Sequence, residues 1–348
     1  MYYSLHKKAY LPPVYIILLG LMAIACHPPQ ANEKIDNTTS SLVDSSILHF
    51  IPTMQHRVPV DRNAVYAASL PLAWNVLRTE INASAAIKTD MHSLALLDSV
   101  STRIDALDDA DYQRKVERVG SGISVATRQK IDLTFSPSFD DLSGKLLFDS
   151  VPVTAFGTSK EQNAIHPHQV EVLVYRSDEH FAVRLNPAEQ DHEILLFKAD
   201  RSFDDFAQMY KVLLEECERG EKEQIDPTQQ WRYQLTDVDE LLIPTVGFDK
   251  RTIYAQFAGQ IFGVQQAEYT VEEVSQSVAF VMNKYGVSME TGAEIIVSMG
   301  GVPMDDMPKP KMLRFDKPFY IMMKKSDKVS PYLVVYIANT LLLEKGER

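Results

Sequence analysis

The chain has 348 residues, 45% of them apolar, with 15 Phe and 15 Tyr, which is enough material for a large packed core without covalent staples. A formal net charge of −12 argues against a nucleic-acid or anionic-membrane partner, because both need clustered positive charge. Its two cysteines, Cys26 and Cys217, leave no internal disulfide if Cys26 is otherwise engaged.

Lys7 and Lys8 precede an apolar run from Val14 to Ala25 and then Cys26, the layout of a signal peptide over residues 1–25. That run is too short to cross a hydrocarbon core of about 30 Å, so its removal is expected. Met22-Ala23-Ile24-Ala25-Cys26 resembles the bacterial lipoprotein signal, although a Leu is commoner where Ala23 stands. The resemblance implies a lipidated Cys26 as the new N-terminus. It also implies a lipid-anchored location at a bacterial cell envelope, on the outer membrane or cell surface. Multiple acyl chains hold a protein stably in a membrane where one does not. Residues 26–46 are polar and read as a flexible tether, and residues 47–348, with no repeat or second linker, as one domain.

Within that domain Leu70, Leu72, Ala73, Val76, Leu77 and Ile81 share a helical face, and a second helix is expected around Met91–Leu107. The N-terminal half therefore reads as helix-rich. VEVLVYRS from Val170, HFAVRLNP from His180 and HEILLFKA from His192 are strands of an antiparallel meander. Ser202 and Asp205 suggest a capping box before an amphipathic helix bearing Phe206, Met209, Tyr210, Leu213 and Leu214. The acidic run EECERGEKEQ reads as its solvated face and exit loop. A strand over Glu240–Phe248, a helix over Tyr254–Phe262 and strands at Gln276–Asn283, Phe319–Met323 and Tyr332–Ala338 complete the chain. Helices first and strands later predict an α+β fold with large, mostly antiparallel sheets.

Leu242-Ile243-Pro244-Thr245-Val246-Gly247-Phe248, then Ala258-Gly259-Gln260-Ile261-Phe262, then Ser277–Phe280 leading into Asn283-Lys284-Tyr285-Gly286, follow one another in a particular order. Phe315-Asp316-Lys317-Pro318-Phe319-Tyr320-Ile321 through Ser330-Pro331-Tyr332 is the most specific stretch. Together these segments, covering roughly Val170 to Ala338, resemble the serpins, metastable protease inhibitors with an exposed reactive loop. Ser69-Leu70-Pro71-Leu72-Ala73 is similar to a helix start of the same family. The resemblance implies a serpin-like fold with a loop, exposed or inserted, before the C-terminal strands. It implies a serine or cysteine protease as partner, cleavage of the loop, and insertion of its first half as an extra strand.

The resemblance makes Asn283, Tyr285, Gly286, Val287, Met289 and Thr291 hinge residues. From Gly286 onward Val287, Met289, Thr291, Ala293, Ile295 and Val297 form one uncharged face, while Glu290 and Glu294 lie on the other. That alternation fits a half-buried strand. The family prefers small residues here and an acidic pair before the glycine; Met289 and Lys284-Tyr285 depart from that pattern. Val, Ile and Met also suit a strand already in its sheet, which would leave no stored strain and a non-inhibitory binding or structural protein. Counting forward from Gly286 places the scissile bond at Gly300, whereas counting back from Pro318 reaches Met307, beside a proline that disfavours cleavage. Met299, Gly300, Gly301 and Met304 are the candidate scissile region.

No G-x-S-x-G, phosphate loop or H-E-x-x-H is present, so no catalytic residue is assigned and no cofactor is expected. His166, His168, His180 and His192 lack the spacing of a metal site, and none is assigned. Trp74 and Trp231 read as packing residues.

Overall fold

The structure, a computed structural model, describes residues 47–119, 122–158, 168–287 and 310–346. The first strands, β1 (Leu48–Phe50) and β2 (Asn63–Ala67), lead into helices α1 (Ser69–Glu80) and α2 (His92–Ser101). Short strands follow: β3 (Gln113–Val119), β4 (Gly122–Arg128), β5 (Leu133–Thr134), β6 (Asp140–Asp141), β7 (Leu146–Phe148), β8 (Val151–Val153) and β9 (Ala155–Thr158). The meander β10 (Val170–Ser177), β11 (His180–Leu185) and β12 (His192–Lys198) precedes α3 (Phe206–Glu223). Then come β13 (Glu240–Pro244), β14 (Val246–Ile253), β15 (Ile261–Val264), β16 (Ala267–Thr270), β17 (Ser275–Asn283) and β18 (Gly286–Val287). The last strands are β19 (Met312–Arg314), β20 (Phe319–Lys325) and β21 (Leu333–Ile337).

The largest sheet runs β1-β2-β21-β20-β12-β11-β10. Its central strands read FYIMM and LVVYI and are buried at every one of those positions, so both faces must be covered. One cover is α3, whose Phe206, Met209, Tyr210 and Leu213 are buried and whose Phe206 ring lies edge-on 6.4 Å from Tyr320. Phe148 of β7 approaches from the other side, 6.4 Å from Phe319. Each such side chain, fully buried, contributes on the order of 1.5–3 kcal/mol.

The Phe315–Phe319 stretch is fixed to this sheet by a buried ammonium. Lys198 Nζ donates to the carbonyls of Asp178 and Arg314 at 3.1 Å and to Asp316 Oδ1 at 2.7 Å. Phe315 and Phe319 are fully buried on either side of that contact. Smaller sheets run β19-β13-β9-β6 and β14-β17-β18-β5.

The α+β class and its strand meander are as expected, but several local readings are corrected. Before residue 159 the described residues form two helices against nine strands, so this half is not helix-rich. The excess is hairpin structure such as β3–β4, where Val116 faces Val125 across the ladder. The cap of α3 is Asp205, accepting from the Gln208 N–H at 2.7 Å, while Gln208 Oε1 accepts from the Asp204 N–H at 3.1 Å; Ser202 takes no part. The helix runs on through the acidic stretch, and Glu216 and Glu223 are not merely solvated. Glu216 accepts from His180 Nε2 at 2.9 Å, while Glu223 pairs with Arg176 at 2.6 Å. Residues 254–260 form turns rather than a helix and Ile261 and Phe262 begin β15, because Gly259 takes φ +75° and the backbone is stitched sideways, Tyr254 N–H to Val274 O and Gly259 N–H to Val271 O.

Candidate hinge site

Strand β17 alternates strictly. Gln276, Val278, Phe280 and Met282 are buried, and Ser275, Ser277, Ala279 and Val281 face out. Along one edge it pairs with β14 throughout, from Val246 opposite Met282 to Ile253 opposite Ser275. At its end the Asn283 carboxamide oxygen accepts from the Tyr285 N–H at 2.9 Å, closing an Asx turn. Gly286 then pairs back with Asn283, so Lys284 and Tyr285 are the two loop residues of a tight hairpin.

Gly286 holds φ +147°, and a Cβ there would overlap the Leu133 carbonyl oxygen. The position accepts no side chain. Val287 lies opposite Met282 on one side and Leu133 on the other. Directly opposed residues share a face, and all three are in the core, with exposures of 3%, 0% and 1%. β18 thus stands antiparallel between β17 and β5.

The turn is gripped from the 133–141 segment. Phe135 N–H donates to Tyr285 O at 2.8 Å and Phe139 N–H to Lys284 O at 2.9 Å. Their rings pack edge to face, 4.8 Å apart, and Phe156 completes the cluster. Lys284 Nζ meets Asp141 Oδ2 at 3.2 Å. The hydroxyl and N–H of Ser143, aided by Lys284, hold the Asp141 carboxyl down at about 2, so it is charged at any ordinary pH. β5 ends after two residues. On its far side Ala188 N–H donates to Thr134 O at 2.8 Å and Thr134 N–H to Glu189 Oε2 at 2.7 Å. From Ser275 to Val281, β17 has no ladder partner on its second edge among the described residues.

Of the residues singled out in the sequence, Asn283, Tyr285, Gly286 and Val287 are brought together in this hairpin. Met289, Thr291, Met299, Gly300, Gly301, Met304 and Cys26 lie outside the described residues. Phe135, Phe139, Asp141 and Glu189 were missed, having no local signal that ties them to a hinge so distant in sequence. Lys284, read as a departure from an acidic pattern, has its own carboxylate partner in Asp141.

His180 is bonded to Asp200 at 2.8 Å as well as to Glu216, and His192 Nδ1 to the Tyr332 hydroxyl at 3.0 Å, so the two histidines work apart. Trp74 is buried, and Trp231 sits edge-on to Tyr175 at 5.9 Å.

In this α+β protein a strand turns at a glycine into the sheet beside it, ahead of the Phe315–Phe319 stretch and the final strand pair, the order of segments that the resemblance implied. No family model matches the chain, and no curated protein does. Among solved structures it is similar to thyroxine-binding globulin in complex with thyroxine, at TM-score 0.38 and 10% identity over 80% of this chain and 74% of that one. It is similar also to the thermophilic serpin Tengpin in its native state, at 0.38 and 9% over 79% of this chain and 65% of that one. Serpin48 of the insect Tenebrio molitor matches at 0.35 and 10% over 62% of this chain, which spans 55% of its length.

Proposed function

We propose that this serpin-like protein is directed at a serine or cysteine protease, with the stretch 288–309 as bait and the free edge of β17 as the acceptor of the cut strand. The observation that carries the reading is the seating of Gly286 and Val287 between β17 and β5. A chain continuing from Val287 would run antiparallel along β17. By strand alternation Met289, Thr291, Ala293, Ile295 and Val297 would then share the buried face of Val287. Trapping by strand insertion needs no catalytic group of its own, so the protein acts as an inhibitor and not as an enzyme.

One observation favours a second reading. The bank opposite β17 is only Leu133–Thr134, and Ala188 and Glu189 occupy its outer side. A strand inserted beyond Val287 gains a ladder on one edge only, and a hinge resting permanently in the sheet suits a non-inhibitory binding or structural protein.

A thermal melt before and after limited proteolysis within 288–309 separates the two. Insertion raises the melting temperature well above the roughly 2–4 °C that 1 kcal/mol brings to a domain of about 200 residues. An unchanged melt removes the inhibitor reading.

We also propose that a lipidated Cys26 tethers the protein to a bacterial cell envelope through residues 26–46. Cys26→Ala is expected to move the protein from the membrane pellet to the soluble fraction, and the wild-type N-terminal peptide to carry the mass of its acyl chains. Equal partition of both forms would show that the anchor lies elsewhere.

A further inference from the structure

At the edge of the seven-stranded sheet, β1 and the residues after it meet the end of β14 around a cavity of about 340 Å³. That is the lower end of the range for small-molecule sites. Its apolar wall includes Phe50, Ile51, Pro52 and Ile253. Ile253 is 42% exposed, an aliphatic side chain that folding itself leaves in contact with water.

The polar part of the lining is His49, His56 and Arg57 together with Thr252, Tyr254 and Gln256. His56 Nδ1 is 2.8 Å from the hydroxyl of the fully buried Thr53, which fixes the ring. The opposite nitrogen, Nε2, is out of contact with solvent and has no hydrogen-bond partner among the described residues. With no accessible surface, that nitrogen does not itself open into the cavity, and His56 lines it through its other atoms.

Charge narrows the partner. Although the chain has 47 acidic residues, none of the described ones lines this cavity. No carboxylate among the described residues forms an ion pair with Arg57 or with nearby Arg62. Burial lowers the pKa of His49 and of His56, and the positive neighbours Arg62 and His92 push the same way, so the local field disfavours another cation and favours an anion.

We propose that this cavity binds a small amphiphilic carboxylate, its anion held by Arg57 beside the His49 and His56 rings and its hydrocarbon body laid on Phe50, Ile51, Pro52 and Ile253. The proposal is independent of what the hinge and its loop do.

Octanoate titrated into the full chain, followed calorimetrically and by amide chemical shifts, is the test. Saturable binding is expected, with shifts confined to residues 48–58 and 252–256. 1-Octanol, which keeps the body and lacks the charge, is expected to bind at least tenfold more weakly, and Arg57→Ala to weaken octanoate by a similar factor with an unchanged melt. Arg57 is exposed, so its loss leaves the fold intact. Absence of saturation, equal affinity for octanol, or unaltered binding by the Arg57 variant would each overturn the proposal.

Discussion

Replacing Gly286 with alanine is expected to unseat the hinge hairpin. The residue sits at φ +147°, a conformation essentially confined to glycine, which costs any other residue on the order of 1–3 kcal/mol. Sterics add to this, since the new Cβ would overlap the Leu133 carbonyl oxygen and come within 3.0 Å of Thr134 Cα. Neither neighbour can retreat easily, because Thr134 is held from behind by Ala188 and Glu189. The ladder contacts of Gly286 with Thr134 and of Val287 with Leu133 must therefore open, and the bonds from Phe135 and Phe139 N–H to the turn open with them. Hydrogen exchange reads this directly: protection at the Phe135 and Phe139 amides falls by at least an order of magnitude, and the melting temperature drops by several degrees. Gly247→Ala, in the neighbouring strand with nothing within 4 Å of its Cβ position, serves as the control and stays within about 0.5 kcal/mol of wild type. If Gly286→Ala keeps wild-type protection, the hairpin does not depend on this glycine. Under the bait reading the variant also loses any gain in stability on cleavage, because the strand has no hinge from which to start.

What was legible in the sequence is what local chemistry dictates. The runs VEVLVYRS, HFAVRL and HEILLFK announce strands because branched and aromatic residues crowd them, whereas Asn283 and Gly286 entered as a hinge only through the resemblance, and their turn is a finding of the structure. The grip on that turn was invisible. Phe135, Phe139 and Asp141 come from a segment more than a hundred residues away, and neither period nor spacing links them to Lys284 and Tyr285. Tyr254, Phe257, Ala258 and Ile261 misled for the opposite reason. Their spacing suits a helix, yet Gly259 and the bonds across to Val271 and Val274 hold residues 254–260 in turns and Ile261 opens β15, so tertiary pairing overrides a local period. Likewise Asp316 could be read as part of a motif but not as the partner of Lys198, a pairing that only the packed sheet creates.

The tie between α1 and α2 was equally hidden, and breaking it should have the largest effect on stability. Asp98 of α2 is 2% exposed and receives Trp74 Nε1–H at 2.9 Å, the Ile87 N–H at 3.2 Å and the guanidinium of Arg78. Arg78, itself buried, also donates to the carbonyls of Ala83 and Ala85 at 2.9 Å. Every group in this network is satisfied by another, so removing the carboxylate leaves a buried cation and two buried N–H donors without acceptors. Asp98→Ala is therefore expected to cost about 3–5 kcal/mol, read as a fall in melting temperature on the order of 10 °C. Asp98→Asn keeps the shape and one acceptor and should fall between the two. Replacing both charges, Arg78→Met with Asp98→Leu, removes the unpaired cation and should recover part of the loss, although Trp74 and the Ala83 and Ala85 carbonyls remain without their partners. A double-mutant cycle on Arg78→Met, Asp98→Leu and the double variant measures the coupling, and a coupling below about 0.5 kcal/mol would mean that the helices are held by Leu70, Leu94 and Leu97 packing alone.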